Sequence, residues 1–143
     1  MAITQAVCNT FKSELLGAVH DFDSGSGQVF KLALYTSAAN LSAATTAYTV
    51  TGECPASGQY TATGGILLSQ TVSLDGSVGI VDFADLSFTG VTLTARGALI
   101  YNTSASSKSV CVLDFGADKT ATSGTFTIVF PANTSAAAIL RIA

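Results

Sequence analysis

The chain has no tryptophan, one histidine, three cysteines and few charges, Lys, Arg, Asp and Glu together making 10% of its 143 residues. Each scarcity removes a class of function. With His20 as the sole imidazole, a nucleophilic triad or a histidine metal cluster would have to be built around one ring. Its place at the end of an N-terminal helical pattern reads instead as a partly exposed His favoured by the helix dipole. Without Trp and with four Tyr, there is little to stack on sugar rings, which argues against a lectin or glycosidase. Cys8, Cys54 and Cys111 are odd in number and far apart, and none forms a CxxC pair. They read as buried reduced thiols, not as a disulfide framework or a zinc site. The six Lys and Arg are spread singly in a chain of net charge −3, so no phosphate-tracking groove for nucleic acid is expected. No segment approaches the roughly 18 apolar residues of a membrane span. The N-terminus lacks the basic and apolar regions of a secretory signal, so synthesis in a cytoplasm and no membrane partner are expected.

What is present is Ser, Thr and small residues. A surface covered by hydroxyls, with a net charge of −3 and a mean hydropathy of +0.50, has little charge repulsion to keep copies apart, which points to self-association or docking. The length fits a single domain, 1–143, able to bury one core. Val7, Phe11, Leu15, Ala18, Val19 and Phe22 recur at spacings of three and four, predicting an amphipathic helix over 4–22 with Thr4 as N-cap and "DSGSG" as its exit.

From residue 28 the period becomes two. Strands are predicted over Gln28–Ser37, Ala47–Glu53, Gly65–Leu74, Ser77–Phe83, Val91–Asn102, Ser109–Phe115, Gly124–Phe130 and Ala136–Ala143, with Asp75-Gly76 marking a hairpin. Phe126, Ile128 and Phe130 alternate with Thr125 and Thr127, as in a sheet with one buried side. The expected fold is mainly β: an antiparallel β-sandwich, jelly-roll-like, over 28–143, with the one helix before it. The small polar stretches 38–46 and 54–64 read as surface loops, or as segments ordered by a neighbouring subunit.

Four groups of residues have chemistry to consider. "DFDSGSG" (Asp21 to Gly27) resembles the start of a calcium loop, but the EF-hand pattern calls for Glu where Leu32 stands, leaving a solvated helix exit. Asp82 with Asp85, or Asp114 with Asp118, could supply a glycosidase acid and base, although Asp82 and Asp85 fall where a strand gives way to a turn. "GADKTATSG" (Gly116 to Gly124) lacks the order of a phosphate loop, so Asp118 and Lys119 read as pinning a loop between two strands. Arg96, in mid-strand, reads as the partner of an acid on an adjacent strand. No catalytic, cofactor-binding or metal-ligating residue is assigned, and neither enzyme activity nor a cofactor is expected.

The segments "MAITQAVCNTFKSELL", "FKLALYTSAA", "TARGALIYN", "VLDFGADKTATSGTFTIVFP" and "AILRIA" together resemble, over nearly the whole chain and in the same order, a family of small proteins encoded in the structural gene blocks of tailed bacteriophages. The resemblance implies a virion structural protein. Its first form would be a capsid decoration (cement) protein, a homotrimer bridging subunits of the major capsid protein on the capsid surface. The alternative is a tail-associated subunit (adaptor, tube, baseplate or fibre base) that contacts tail or portal proteins in a ring.

Overall fold

Two long segments in which apolar and hydroxyl residues alternate, Leu86–Asn102 and Lys108–Ile128, pair with each other along most of their length. The rest of the chain is arranged on this ribbon. In the computed structural model, which describes residues 2–143, the strands along the chain are β1 (Ala6–Val7), β2 (Phe30–Tyr35), β3 (Gly65–Ile66), β4 (Thr71–Asp75), β5 (Val78–Asp82), β6 (Leu86–Asn102), β7 (Lys108–Ile128) and β8 (Leu140–Ile142), with one helix, α1 (Asn9–Leu16). They form two antiparallel sheets, ordered β1-β7-β6-β2-β3 and β4-β5-β8, a mainly β sandwich with one short helix.

The β6–β7 ribbon buries Phe88, Val91, Leu93, Ala95, Ala121, Phe126 and Ile128 and exposes Ser87, Thr92, Thr94, Thr120 and Thr127. This is the period-two alternation of a sheet with one wet face. The segments read as two strands, 109–115 and 124–130, are one strand. Across the supposed loop, Lys119, Thr120 and Ala121 stay in register with Ala95, Thr94 and Leu93. The surplus residues are absorbed as irregularities in the pairing, near Gly116 (φ +79°) and Gly90 (φ +64°), where a left-handed backbone suits glycine.

The helix is shorter than the spacing predicts. It begins at Asn9, with Cys8 as N-cap and not Thr4, and ends at Gly17, so Ala18 to Phe22 lie beyond it. The residues before it are extended: Ala6 and Val7 pair with Val112 and Cys111, and Ile3 bridges Leu41. The open edge of β7 offers Ala6 and the β-branched Val7 a ladder that a marginal helix end cannot match.

Three other strand assignments change. Ala47–Glu53 is a looped segment whose backbone meets the strands through the isolated bridges Ala47–Lys108 and Tyr35–Glu53, not as a strand of its own. Gly65–Leu74 divides into β3 and β4, one in each sheet. At the C-terminus only Leu140–Ile142 is strand. The hairpin at Asp75-Gly76 is present, but Asp75 closes it opposite Val78, so the two turn residues are Gly76 (φ +63°) and Ser77.

The layers are joined by a run of phenylalanines. Phe11 of α1 meets Phe22 at 5.9 Å, Phe22 stacks on Phe30 of β2 at 4.4 Å, and Phe83, just after β5, lies 6.0 Å from Phe30 and 5.8 Å from Phe130. Phe11 is 4% exposed, so the apolar stripe of α1 covers the sheet. Phe11→Ala should leave a core cavity and lower stability by about 3–5 kcal/mol, read as a fall in melting temperature. An unchanged melting temperature would show that the helix face is not part of the core.

Candidate interaction surface

Most residues singled out for chemistry are held by their own chain; Asp82, at the end of β5, and Lys119, in β7, make no side-chain hydrogen bond or ion pair among the described residues. His20 is 3% exposed and past the helix end, not a partly exposed group on the last turn. Asn102 Oδ1 accepts the Ser104 N–H, so its amide nitrogen faces His20 Nδ1 at 3.1 Å and Gln28 Oε1 at 2.8 Å. Nδ1 therefore accepts, and Nε2 donates its proton to Glu14 Oε1 at 3.1 Å, while Glu14 Oε2 lies 3.3 Å from Lys108 Nζ. With both nitrogens engaged and Phe11 packed at 4.9 Å, the imidazole ties the end of α1 to the tip of the β6–β7 hairpin.

The other carboxylates are occupied in the same way. Asp21 and Asp23 accept the N–H groups of Asp23 and Gly25, which makes "DFDSGSG" a pair of side-chain-closed turns. Asp85 accepts the Phe130 N–H at 2.9 Å. Asp114 and Asp118 flank Arg96, at 3.5 Å and 3.9 Å, which supplies the acids expected on the adjacent strand. Asp118 and Lys119 lie within β7 and do not pin a loop.

The polar stretches are likewise anchored without a neighbour. Leu41 is 1% exposed, and its backbone pairs with Ala2 and Thr4. Beside the second stretch all four tyrosines gather near Glu53. Its carboxylate accepts the hydroxyls of Tyr48 and Tyr60 and the Thr63 N–H, while Tyr35 and Tyr101 donate to the carbonyls of Thr49 and Thr63. Gly58 and Gly64, both of positive φ, let this stretch lie against the sheet: a Cβ would collide with the Gly90 and Leu32 carbonyl oxygens. Sequence reasoning missed this cluster because the tyrosines come from four distant segments.

The surface feature left without an internal role is apolar. Between α1 and the small sheet runs an open groove of about 530 Å³, walled by Phe11, Leu15 and Leu16 on the helix side and by Val72, Val81 and Leu140 on the other. Its floor belongs to the core, but its rim is exposed: Leu16 is 91%, Val72 56% and Ile142 62% accessible, and Leu74, on the same face of β4 as Val72, is 74% accessible. Lys12, Asp21 and Arg141 also line it. On the ribbon the outer face is hydroxylic, with Ser87 paired to Thr127 and Thr94 to Thr120, each at 2.9 Å. The groove was missed because Val72 and Leu74 alternate with polar residues as a half-buried strand would, while nothing among the described residues covers them. No helix of the described residues is long and apolar enough to cross a membrane.

The three cysteines are buried and unpaired. Burial, reinforced by the Glu53 charge beside Cys54 and by Cys8 beside Cys111, pushes the thiols of Cys54 and Cys111 up to about 12 from 9.0. Burial also raises the phenols of Tyr35 and Tyr60. Between pH 9 and 12 the native state thus holds protons that the unfolded chain releases. The stabilisation from these thiols is complete below pH 9 and is lost as pH climbs toward 12. The urea midpoint should therefore fall steadily from about pH 9 to pH 11, with thiol-specific reagents labelling only unfolded protein; native labelling at neutral pH would contradict this burial.

Compared with known proteins, the chain matches no family model, no curated protein and no solved structure.

Proposed function

We propose that the protein is a structural subunit that works by docking, a bacteriophage virion component of the capsid decoration type that binds the major capsid protein and its own copies on the head surface. The observation that carries the docking reading is the apolar groove with its rim of Leu16, Val72 and Ile142, in a chain of which only 10% is charged. Apolar patches of this kind on a folded subunit mark interaction sites, since leaving them in water forfeits burial free energy of roughly 25 cal/mol per Å².

The sequence resemblance to small proteins of phage structural gene blocks directs that reading to a virion. A decoration protein needs a scaffold that keeps its shape under load, and burial with internal hydrogen bonding of the long segments supports one. It stabilises the shell by area shared across subunit junctions, which adds to the free energy required to separate them. Threonine and serine on the outer ribbon face suit contact with a hydrated protein surface, where hydroxyls bond with either polarity.

Mass spectrometry of purified virions, with gold-tagged antibody on intact particles, tests this. Detection in the virion with label over the faceted head is expected. A cluster of label at the tail vertex would replace the decoration role by a tail-associated one, and absence from purified virions would overturn the virion reading.

A further inference from the structure

The small sheet has an open edge at β4. All five of its residues, Thr71–Asp75, are exposed, and β4 is hydrogen-bonded on one side only, to β5. Natural edges are protected by Lys, Pro, bulges or short length. The outer side of β7 beyond its pairing with β1 has such protection, carrying Asp114, Asp118 and Lys119 and an irregular pairing. β4 has none: its five pairs with β5 are regular, its sequence is TVSLD, and its single charge stands at one end.

The direction of its free peptide groups follows from the hairpin. A two-residue turn closes on a pair that exchanges both hydrogen bonds, here Asp75 and Val78. Counting back by twos, Ser73 and Thr71 also point their N–H and C=O groups at β5, so Val72 and Leu74 point theirs outward. The same two residues present their apolar side chains on the face that holds the groove.

We infer that β4 pairs antiparallel with β4 of a second copy, about a twofold axis through Ser73, giving a continuous six-stranded sheet. The strand reads polar, apolar, polar, apolar, polar about its centre, so the axis sets Val72 opposite Leu74 of the second copy, twice. All outward donors and acceptors then meet in four hydrogen bonds, and the two apolar pairs lie on one face. Asp75 falls opposite Thr71, so no like charges face each other across the axis. A one-residue slip would match outward groups with inward ones, and a two-residue slip would halve the pairing; the register is therefore specified.

The pairing also accounts for the groove. Leu74 of the second copy lands beside Val72, which lines the groove's wall, and carries the apolar face past its mouth. A standard interface buries roughly 800 Å² per partner. Ten paired strand residues fall short of that, so a weak dimer with an affinity on the order of micromolar is expected. The contact is isologous and makes a dimer; a larger closed assembly would need a second surface. It follows from the strand alone and is independent of the virion reading, so either can fail without the other.

Sedimentation of the purified protein from low to high micromolar concentration, with two variants, is the test. Wild type should dimerise. Leu74→Lys, at a residue 74% exposed, should keep its melting temperature and weaken dimerisation at least about tenfold by putting a charge on the paired edge. Ser73→Cys should form a disulfide-linked dimer on mild oxidation, because residues facing each other at the axis lie in a non-hydrogen-bonded pair with Cα atoms about 4.5 Å apart, within disulfide range. A wild-type protein that stays monomeric would overturn the inference, as would a dimer indifferent to Leu74→Lys and uncrosslinked through residue 73. Should Leu74→Lys unfold, the crosslinking of Ser73→Cys decides alone.

Discussion

The antiparallel register between β6 and β7 is the constraint on which the rest of this molecule depends. From Leu86 opposite Ile128 to Asn102 opposite Lys108 it fixes which side chains face inward, and a one-residue slip would turn Phe88, Leu93 and Phe126 out to solvent. β2 adds to β6 through six consecutive pairs, and β1 adds to β7. The core residues Leu32, Leu34, Leu99, Ile100, Val110 and Val112, all essentially inaccessible, come from these strands.

From that sheet the structure builds outward by packing aromatic groups and satisfying polar ones. The run from Phe11 through Phe22, Phe30 and Phe83 to Phe130 seats both the helix and the small sheet at one end of the ribbon. The His20–Asn102–Gln28 group and the tyrosines around Glu53 fasten the intervening segments, the polar atoms of these two groups bonding to one another and to nearby backbone. The long polar segments are thereby rigid, and the apolar surface they leave between α1 and the small sheet is preformed. A preformed surface loses little conformational entropy on docking, which suits the proposed docking role.

Much of the β architecture was legible in local pattern. The strand at Phe30–Tyr35, the hairpin beside Asp75-Gly76, the alternation of Phe126, Ile128 and Phe130 with threonines, and the pairing of Arg96 with an acid on the adjacent strand follow from period and turn chemistry, although which acid does not. The helix length failed because Val7 satisfies a helical spacing but, with Ala6, gains more from pairing with β7. The continuity of β7 was hidden by Gly116 to Gly124, whose composition is that of a loop although its backbone is held by β6. Burial of His20 depends on Asn102, eighty-two residues away, and the surface groove depends on which elements meet without covering one another. Neither is a property of any local window.

The central claim is that an uncovered apolar edge and groove on a rigid sandwich form the working surface of the protein. Residue-resolved amide hydrogen exchange at low and high protein concentration tests it most directly. The account predicts that the Val72 and Leu74 amides exchange rapidly in dilute protein and slow sharply on concentration, whereas the Ser73 amide, already bonded to β5, changes far less. Val72 and Leu74 amides that exchange at the same rate at every concentration, with protection gained at another surface, would contradict it.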